Sequence, residues 1–248
     1  MPTNTSKVKK ETLIVIPARL QSQRLPNKPL LMHNGKTLLD YTYEQAKKTI
    51  VGTVVIATDD QIILDYCKDK EIDCIETPDC PNGTARCFYA YIGMIEKDFV
   101  KVINWQVDEP LIDPIWVNVL INSITPYDPS VHTITAPITE AQLLDKNTVK
   151  AIVTKQRMIY SGHESNRCHW FTRSPVRENR LGHCGIYGFS VNSLWNAFQA
   201  KKSFAATSES LEQLSWIDAG ITVESIKVDT LPLSINTPED WTTFCNEN

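Results

Sequence analysis

The chain has 248 residues, of which 42% are hydrophobic and 22% are charged, and its formal net charge is −4. This composition excludes disordered and collagen-like chains, and the length allows one domain with a full core of its own. The slight excess of acidic residues argues against nucleic acid as a partner, because binding a long polyanion requires a basic face.

The sequence carries no recognisable membrane or secretion signal. No apolar run approaches the roughly 18 residues of a membrane span. The polar start Met1–Glu11, which we expect to be flexible, lacks the apolar centre of a signal peptide. The seven cysteines contain no Cys-x-x-Cys pair, and we interpret them as reduced thiols. We therefore expect a cytoplasmic protein that does not bind membranes.

The first half of the chain alternates predicted strands with predicted helices. Short apolar runs rich in β-branched residues predict strands at Thr12–Pro17, Thr53–Thr58 and Lys101–Gln106. Apolar residues at helical spacing predict helices at Leu38–Lys48 and Thr84–Ile95. This βαβ order predicts parallel strands with helices on both faces of the sheet.

The second half is less regular. The predicted strands are His132–Ile138, Val149–Lys155 and Thr222–Val228, and the predicted helices are Val191–Ala200, Ser208–Ala219 and one that begins at Thr237-Pro238-Glu239. In the last helix Thr is the N-cap and Pro occupies the first helical position. Met158–Arg180, rich in His, Arg, Ser and Asn, is predicted to leave the sheet. With no internal repeat or linker, residues 1–248 are predicted to form a single domain.

A cluster of cations follows the first predicted strand. Arg19, Arg24 and Lys28 lie in the string PARLQSQRLPNKPL, at the end of a strand where open α/β sheets bind ligands. Arg forks and a Lys ammonium suit the oxygens of a triphosphate whose leaving group is pyrophosphate. Neither a Walker motif nor Gly-x-Gly-x-x-Gly is present. From spacing alone, a solvated charged loop is an equally good interpretation.

Asp108 is the best candidate for a metal ligand. It follows the strand KVINWQ and should project into the same crevice as the cations. A nucleotidyl transfer needs negative charge neutralised on the reacting phosphate, and Mg²⁺ held by carboxylates and phosphate oxygens does this. Taken alone, Asp108-Glu109-Pro110 is more typical of a turn that ends a strand than of a metal site. A zinc site is disfavoured, because the spacing of the candidate ligands fits no familiar pattern; these are His163, Cys168, His169, His183 and Cys184.

The string VIPARLQSQRLPNKPL resembles the signature loop of the sugar-acid cytidylyltransferases, in particular the 3-deoxy-D-manno-octulosonate (Kdo) cytidylyltransferase family. The resemblance continues in family order as far as Asp240, through ATDD, NGT, NWQVDEP, HCGIYG, LEQL and NTPED. The first loop and the Gln-x-Asp-Glu-Pro block are specific together, whereas each short string alone is a weak signal.

This resemblance implies both a fold and a reaction. The fold is a Rossmann-like three-layer α/β/α nucleotidyltransferase fold with a mixed, mainly parallel sheet. A protruding dimerisation segment near residues 140–190 would make the chain a homodimer. The reaction joins CTP and Kdo or a close analogue into a CMP-sugar and pyrophosphate with Mg²⁺ as cofactor, and the product would feed lipopolysaccharide assembly. No Ser-His-Asp or Cys-His nucleophile is proposed, because direct attack by a sugar hydroxyl needs no covalent enzyme intermediate.

The resemblance also implies a set of site residues. The nucleotide-binding positions are Ala18, Arg19, Leu20, Arg24, Lys28, Asn82, Gly83 and Thr84. The sugar-binding positions are Gln106, Arg173, His183, Tyr187, Glu212 and Gln213, with Arg173 matching the residue that grips the acid's carboxylate. Asp108 and Asn236 are the implied metal ligands, and Arg19, Lys28 and Asp108 the implied catalytic residues. A preference for CTP over UTP, read by backbone groups around Ala18–Leu20, rests on the resemblance alone.

Three positions depart from the family pattern. Asn236 replaces an Asp, Ala85 replaces a Glu, and Val107 replaces a Gly. An amide oxygen can coordinate Mg²⁺ but brings no charge, so the metal site should be weaker. Two alternatives therefore stay open: a cytidylyltransferase for another acid, such as 8-amino-Kdo or another ulosonate, or a catalytically weak sugar-nucleotide-binding homologue. Taken singly, Tyr187 also fits a core aromatic, and Glu212 and Gln213 a solvated helix face.

Overall fold

The structure, a computed structural model, describes residues 12–22, 24–50, 52–160 and 162–248. The flexible start predicted for Met1–Glu11 lies outside these residues. The strands are β1 Thr12–Pro17, β2 Met32–His33, β3 Lys36–Thr37, β4 Thr53–Thr58, β5 Cys74–Glu76, β6 Lys101–Trp105, β7 Val131–Ala136, β8 Lys150–Tyr160, β9 His163–Thr172, β10 Arg180–Ser190 and β11 Val223–Lys227. The helices are α1 Leu38–Lys47, α2 Gln61–Asp69, α3 Gly83–Ile92, α4 Pro114–Ser123, α5 Glu140–Leu144, α6 Val191–Gln199, α7 Phe204–Glu209, α8 Gln213–Asp218 and α9 Pro238–Glu247.

A large mixed sheet forms the centre of the described part of the chain. Its strand order is β5-β4-β1-β6-β10-β7-β11-β9-β8. The four strands from β5 to β6 are parallel to one another. Beyond β6 the neighbours are antiparallel, except that β11 runs parallel to β7.

The prediction of a mixed sheet is confirmed, but "mainly parallel" is wrong beyond β6. Parallel neighbours need a long crossover, whereas β8 and β9 follow one another through a short connection that permits only antiparallel pairing, and β10 is antiparallel to its neighbours β6 and β7. The start of β10 also pairs with β8, so β10, β7, β11, β9 and β8 form a closed circuit of strand pairings.

Two apolar clusters form because successive side chains of β1 point to opposite faces of the sheet. Ile14 and Ile16 join one cluster, with residues of α1, α2 and α4. Leu13 and Val15 join the other, with residues of α3, α6 and α8. Helices therefore cover both faces of the parallel half, and the carboxyl ends of β1 and β6 stay open between them.

Two predicted boundaries differ from the observed ones. The helix predicted over Ser208–Ala219 is broken into α7 and α8, because Ser210 takes a left-handed conformation with φ 55°. The segment predicted to leave the sheet contains β9, which pairs with β11 and β8. Its alternation of exposed Arg167 and His169 with buried Asn166 and Cys168 is typical of a strand with one buried face.

The cap predicted for the last helix is confirmed. Thr237 caps α9 by accepting the Asp240 amide at 3.2 Å, and Pro238 occupies its first position. The seven cysteines are all free thiols. Among the described residues, no helix has the length and apolarity needed to cross a membrane.

Gly188 offers a test of the core packing beneath β10. A Cβ added there would lie 2.5 Å from Ile124 Cδ1 and 3.2 Å from Ile103 Cδ1. Because the surroundings are fully buried, we expect Gly188→Ala to destabilise the protein by about 1–3 kcal/mol, measured by urea unfolding. Ile124→Val removes the clashing atom, so the double variant should recover part of the loss. Losses that simply add would contradict this packing.

Candidate active site

A cleft of about 1120 Å³ opens where the carboxyl ends of β1 and β6 meet the loops that follow them. All predicted site residues except two line it. The lining ones are Ala18, Arg19, Arg24, Lys28, Asn82, Gly83, Gln106, Asp108, Arg173, His183, Tyr187, Glu212, Gln213 and Asn236. Of the two exceptions, Leu20 packs against the core and Thr84 is buried in the first turn of α3. Residues from both ends of the sequence therefore meet in one cavity.

The basic loop after β1 crosses the cleft towards the metal-ligand candidates. Asn27 takes a left-handed conformation with φ 54° and starts a short 3₁₀ turn, Lys28–Leu30. The Lys28 ammonium donates to Asp108 Oδ2 at 2.5 Å and to the Ile235 carbonyl at 3.2 Å. Arg24 donates to the side-chain oxygens of Asn147, at 2.7 Å, and Asn236, at 3.2 Å.

Arg19 differs from the other two cations. Its side chain is exposed and lines the cleft, and it has no hydrogen bond or ion pair with any residue that the structure describes. A guanidinium without an internal partner in a cleft can bind an anion without first losing a protein contact.

The donors around the Lys28 ammonium match the preferences of Mg²⁺. The Asp108 carboxylate and the Ile235 carbonyl accept from Lys28, and the Asn236 side-chain oxygen accepts from the neighbouring Arg24. The Ile235 amide donates to the Asp108 carbonyl at 2.8 Å, which joins the two segments. The described residues contain no group of three or more His, Cys, Asp and Glu side chains able to hold a metal. These donors therefore fit a Mg²⁺ that takes most of its ligands from phosphate and water.

Glu109 was not predicted as a site residue, yet its carboxylate lies at the cleft and has three partners within the protein. Its side chain accepts the Gly185 amide at 2.9 Å, the Ser234 hydroxyl, and the Cys184 thiol at 3.7 Å. Burial, and then the charge of Asp108, raise the pKa of Glu109 to about 7. Its position inside the Asp-Glu-Pro block was the only sequence signal.

Arg173 directly follows β9, and His183 lies on β10. Both are at the side of the cleft predicted to bind the sugar acid. The Arg173 guanidinium donates to two main-chain carbonyls, Glu209 at 3.1 Å and Lys146 at 3.1 Å. Burial and the nearby Arg173 charge lower the pKa of His183 to about 3. His183 is therefore neutral at physiological pH, and its Nε2 lies 3.0 Å from the Thr133 hydroxyl.

Four buried polar side chains near the start of α3 and α8 have atoms without a hydrogen-bond partner among the described residues. These side chains are Thr84, Asn104, Glu212 and Gln213. Unpaired buried polar atoms are rare in folded proteins unless water or a ligand satisfies them. Asn104 is a member that the sequence analysis missed, because an Asn inside a strand gives no signal before the helices above it are known.

Glu212 and Tyr187 are packed within the protein and also line the cleft. Burial raises the pKa of Glu212 to about 7. Tyr187 is only 3% exposed and packs edge-on against Trp216, with ring centroids 4.9 Å apart. Both residues still line the cleft, so the core interpretation of Tyr187 is right about its ring and does not exclude a ligand contact.

The start of α3 forms another wall of the cleft. Asn82 caps the helix by accepting the Ala85 amide at 2.8 Å. A Cβ added at Gly83 would lie 3.2 Å from Asn104 Nδ2, so glycine permits the close approach of α3 to β6. A helix N-terminus in a cleft favours anionic ligands. Ala85, one of the departures from the family pattern, is buried in this first turn.

A mixed α/β sheet, with cations at the end of its first strand facing oxygen donors at the end of a neighbouring strand, is the architecture of an α/β nucleotidyltransferase. The family model described as "Cytidylyltransferase" matches residues 13–226. The chain belongs to this cytidylyltransferase family.

Named relatives support the family assignment over nearly the whole chain. The 3-deoxy-manno-octulosonate cytidylyltransferase of Cytophaga hutchinsonii is 32% identical, and the alignment covers 91% of this chain and 93% of the relative. The mitochondrial enzyme of that name from Arabidopsis thaliana is 30% identical, with 95% and 82% covered. A solved structure of CMP:2-keto-3-deoxy-manno-octonic acid synthetase complexed with CTP matches with a TM-score of 0.81 at 31% identity, covering 96% of this chain and 98% of the other.

The raised pKa of Glu212 predicts a pH-dependent cost in stability. Its pKa rises from the ordinary 4.5 to about 7, so between these values the native state holds the proton more tightly than the unfolded chain does. Stability is therefore lost as pH rises through this window. Glu212→Gln removes the cost, so its melting temperature relative to wild type should rise between pH 4.5 and about pH 7.

The control for this test is Glu96→Gln, which changes an exposed residue outside the cleft. Its melting temperature relative to wild type should stay constant over the same pH range. A Glu212→Gln difference that is flat with pH would contradict the buried, protonated carboxyl.

Proposed function

We propose that this protein is a CMP-Kdo synthetase, which transfers the cytidylyl group of CTP to 3-deoxy-D-manno-octulosonate and releases pyrophosphate. The observation that carries the proposal is the meeting of Arg19, Arg24 and Lys28 with Asp108 in one cleft, in a chain of this family. The names of the relatives and the CTP complex of the structural neighbour support the choice of acceptor and nucleotide.

The nucleotide would occupy the side of the cleft between the basic loop and α3. Arg19, Arg24 and Lys28 would bind the phosphates, with the guanidinium forks on two oxygens each. Asn82, Gly83 and Thr84 would face the nucleoside, and the backbone around Ala18–Leu20 would read the base. Binding phosphate requires Lys28 to leave Asp108 and Arg24 to leave Asn236, at least in part.

The acceptor would occupy the opposite side. Arg173 would pair with the acid's carboxylate, and the donors and acceptors of Gln106, His183, Tyr187, Glu212 and Gln213 would contact its hydroxyl groups. A neutral His183 and a protonated or easily protonated Glu212 suit an uncharged polyol. The unpaired oxygen of Glu212 and nitrogen of Gln213 give this side of the cleft its unmet hydrogen-bonding capacity.

The chemical step is a direct displacement at the α-phosphorus. The anomeric hydroxyl oxygen forms the new bond to phosphorus while the bond to the bridging oxygen breaks, and pyrophosphate leaves with that electron pair. The hydroxyl proton is released into the cleft. The chain contributes positioning of the two substrates and cationic charge around the phosphates, which are the main sources of rate in such transfers.

We propose that Asp108 and Asn236 would hold a Mg²⁺ in this reaction. When bound, the ion would neutralise charge on the reacting phosphate and lower the pKa of a coordinated hydroxyl. Of these two proposed ligands only Asp108 carries a negative charge, because the Asn236 side chain is neutral.

The finer assembly is also a proposal. We infer a three-layer α/β/α arrangement from the apolar clusters on both faces of the sheet. We also propose a cytoplasmic homodimer that pairs through residues near 140–190, where Ile159 on β8 and Trp170 on β9 are exposed. Sedimentation of wild type against a charged substitution at Trp170 would test this pairing.

The proposed reaction is tested by pyrophosphate release from CTP and Mg²⁺ with Kdo, 8-amino-Kdo and N-acetylneuraminate as separate acceptors. Release with Kdo and CTP, and not with UTP, is the expected result. Faster release with 8-amino-Kdo would move the assignment to that acid. A folded protein that binds CTP and releases no pyrophosphate with any acid would instead favour the catalytically weak homologue.

Lys28 allows a sharper test of the metal proposal, because its ammonium donates to an Asp108 oxygen that the metal would also use. Lys28→Met should weaken CTP binding, since one phosphate cation is lost. It should also strengthen the binding of Mn²⁺, as a probe for Mg²⁺, in the absence of CTP by roughly threefold or more, because removing a neighbouring positive charge favours a second cation. Both affinities can be measured by titration, with Mn²⁺ followed by electron paramagnetic resonance.

Lys36→Met is the matched control, since Lys36 pairs with Glu44 at 2.7 Å on the surface outside the cleft. It should change neither affinity. Nucleotide-free Mn²⁺ binding that is unchanged or weaker in Lys28→Met would remove Asp108 from the proposed metal site.

A further inference from the structure

Glu109 connects three separate segments that carry proposed site residues. The first is the turn after β6, which carries Gln106 and Asp108. The second is the part of β10 that carries His183, and the third is the loop before α9 that carries Asn236. The proposed contacts with CTP and the sugar acid give Glu109 no role of its own.

The carboxylate of Glu109 is used entirely within the protein. One oxygen accepts both the Gly185 amide, at 2.9 Å, and the Ser234 hydroxyl, and the other faces the Cys184 thiol at 3.7 Å. The residue is only 4% exposed. Its side chain therefore contacts the two neighbouring segments rather than open solvent.

The backbone of Glu109 is fixed as firmly as its side chain. Its amide donates to the Gln106 carbonyl at 3.0 Å, and its carbonyl accepts the Trp105 indole at 2.9 Å. Asp108, the preceding residue, accepts the Ile235 amide through its own carbonyl at 2.8 Å. The turn is thus bound to β6 at one end and to the last loop at the other.

Gly185 fits against this carboxylate from the opposite side. A Cβ built at Gly185 would lie 2.7 Å from Glu109 Oε1, which is closer than real Cβ contacts. Gly185 lies in the interval between Cys184 and Tyr187 where the register of β10 against β7 shifts. The irregular backbone of β10 is therefore in close contact with the Glu109 carboxylate, and a side chain at position 185 would clash with it.

We propose that Glu109 is a positioning residue, which sets the relative placement of Asp108, His183 and Asn236 that the transfer reaction needs. This inference rests on the proposed function. Glu109 acts through its neighbours and does not touch phosphate or sugar, because its oxygens already have protein partners.

The experiment compares Glu109→Met, which removes both carboxylate oxygens, with Glu109→Gln, which retains one acceptor for Gly185 and Ser234. We expect Glu109→Met to lower kcat by 30-fold or more and Glu109→Gln to recover most of it. CTP affinity measured without divalent metal should change less than about threefold in both, because Arg19 and Arg24 are not held by Glu109. A parallel loss of CTP affinity and kcat would point to general loss of structure and overturn the proposal.

Asp128→Met is the matched control for lost stability. Asp128 is a partly buried carboxylate in the connection to β7 that accepts the Ser130 amide at 2.8 Å and pairs with His132 at 3.0 Å, outside the cleft. Its substitution should lower the melting temperature while leaving kcat within threefold of wild type. Equal kcat losses in Asp128→Met and Glu109→Met would reduce Glu109 to an ordinary stabilising residue.

Two further variants keep the test decisive. Gly185→Ala should displace the same carboxylate from the other side and reproduce the kcat loss of Glu109→Met. Ser234→Ala should cost less alone, and nothing further in the Glu109→Met background, since the contact is already gone. Additive losses in the double variant would contradict a shared contact.

Failure of the proposed function gives a different pattern from failure of this inference. If wild type releases no pyrophosphate with any acid, the affinity of the CTP complex for Mn²⁺ replaces kcat as the readout. Glu109→Met should then weaken Mn²⁺ binding in the CTP complex at least tenfold, and Asp128→Met should not. A Glu109→Met variant that keeps wild-type kcat, or wild-type Mn²⁺ affinity in that case, overturns the proposal.

Discussion

The site depends on β10 running antiparallel between β6 and β7. This strand pairs with β6 through Ile186–Ser190 and with β7 through Gly182–Phe189, with a register shift between Cys184 and Tyr187. The shift brings Gly185 against Glu109, and it places His183 and Tyr187 on the cleft. The parallel half supplies the nucleotide side, and β10 is the element through which the other half reaches it.

The positive side chains of the basic loop already have partners within the protein in two cases out of three. Two of the three cations of the basic loop donate to the oxygen atoms that we propose for the metal, Lys28 to Asp108 and Arg24 to Asn236. Each of these contacts has to be exchanged when a triphosphate and its ion bind. Binding of substrate at this site would therefore include a rearrangement of its internal ion pair and hydrogen bonds.

The three departures from the family pattern occupy distinct structural positions. Val107 is buried and its carbonyl accepts the Thr42 hydroxyl at 2.7 Å, while Ala85 is buried in the first turn of α3. Asn236 and Val107 line the cleft whereas Ala85 does not, and the Asn236 side-chain oxygen accepts from Arg24. Of the three, Asn236 is the one whose side chain belongs to the proposed metal site, so a change in metal affinity is most directly linked to it.

The sequence by itself determined three of the four parallel strands, β1, β4 and β6, and the capped last helix, and most of the site residues predicted from it line the cleft. Local apolar and capping patterns were sufficient for the strands and the helix. The site residues, such as Arg19, Lys28 and Asp108, were singled out with the help of the resemblance to the family. It did not determine the β9 pairing, the break at Ser210, or the roles of Glu109, Asn104 and Ser234. Those depend on partners far away in the chain, such as Gly185 and Ser234 for Glu109, and only the tertiary structure decides which buried polar groups meet.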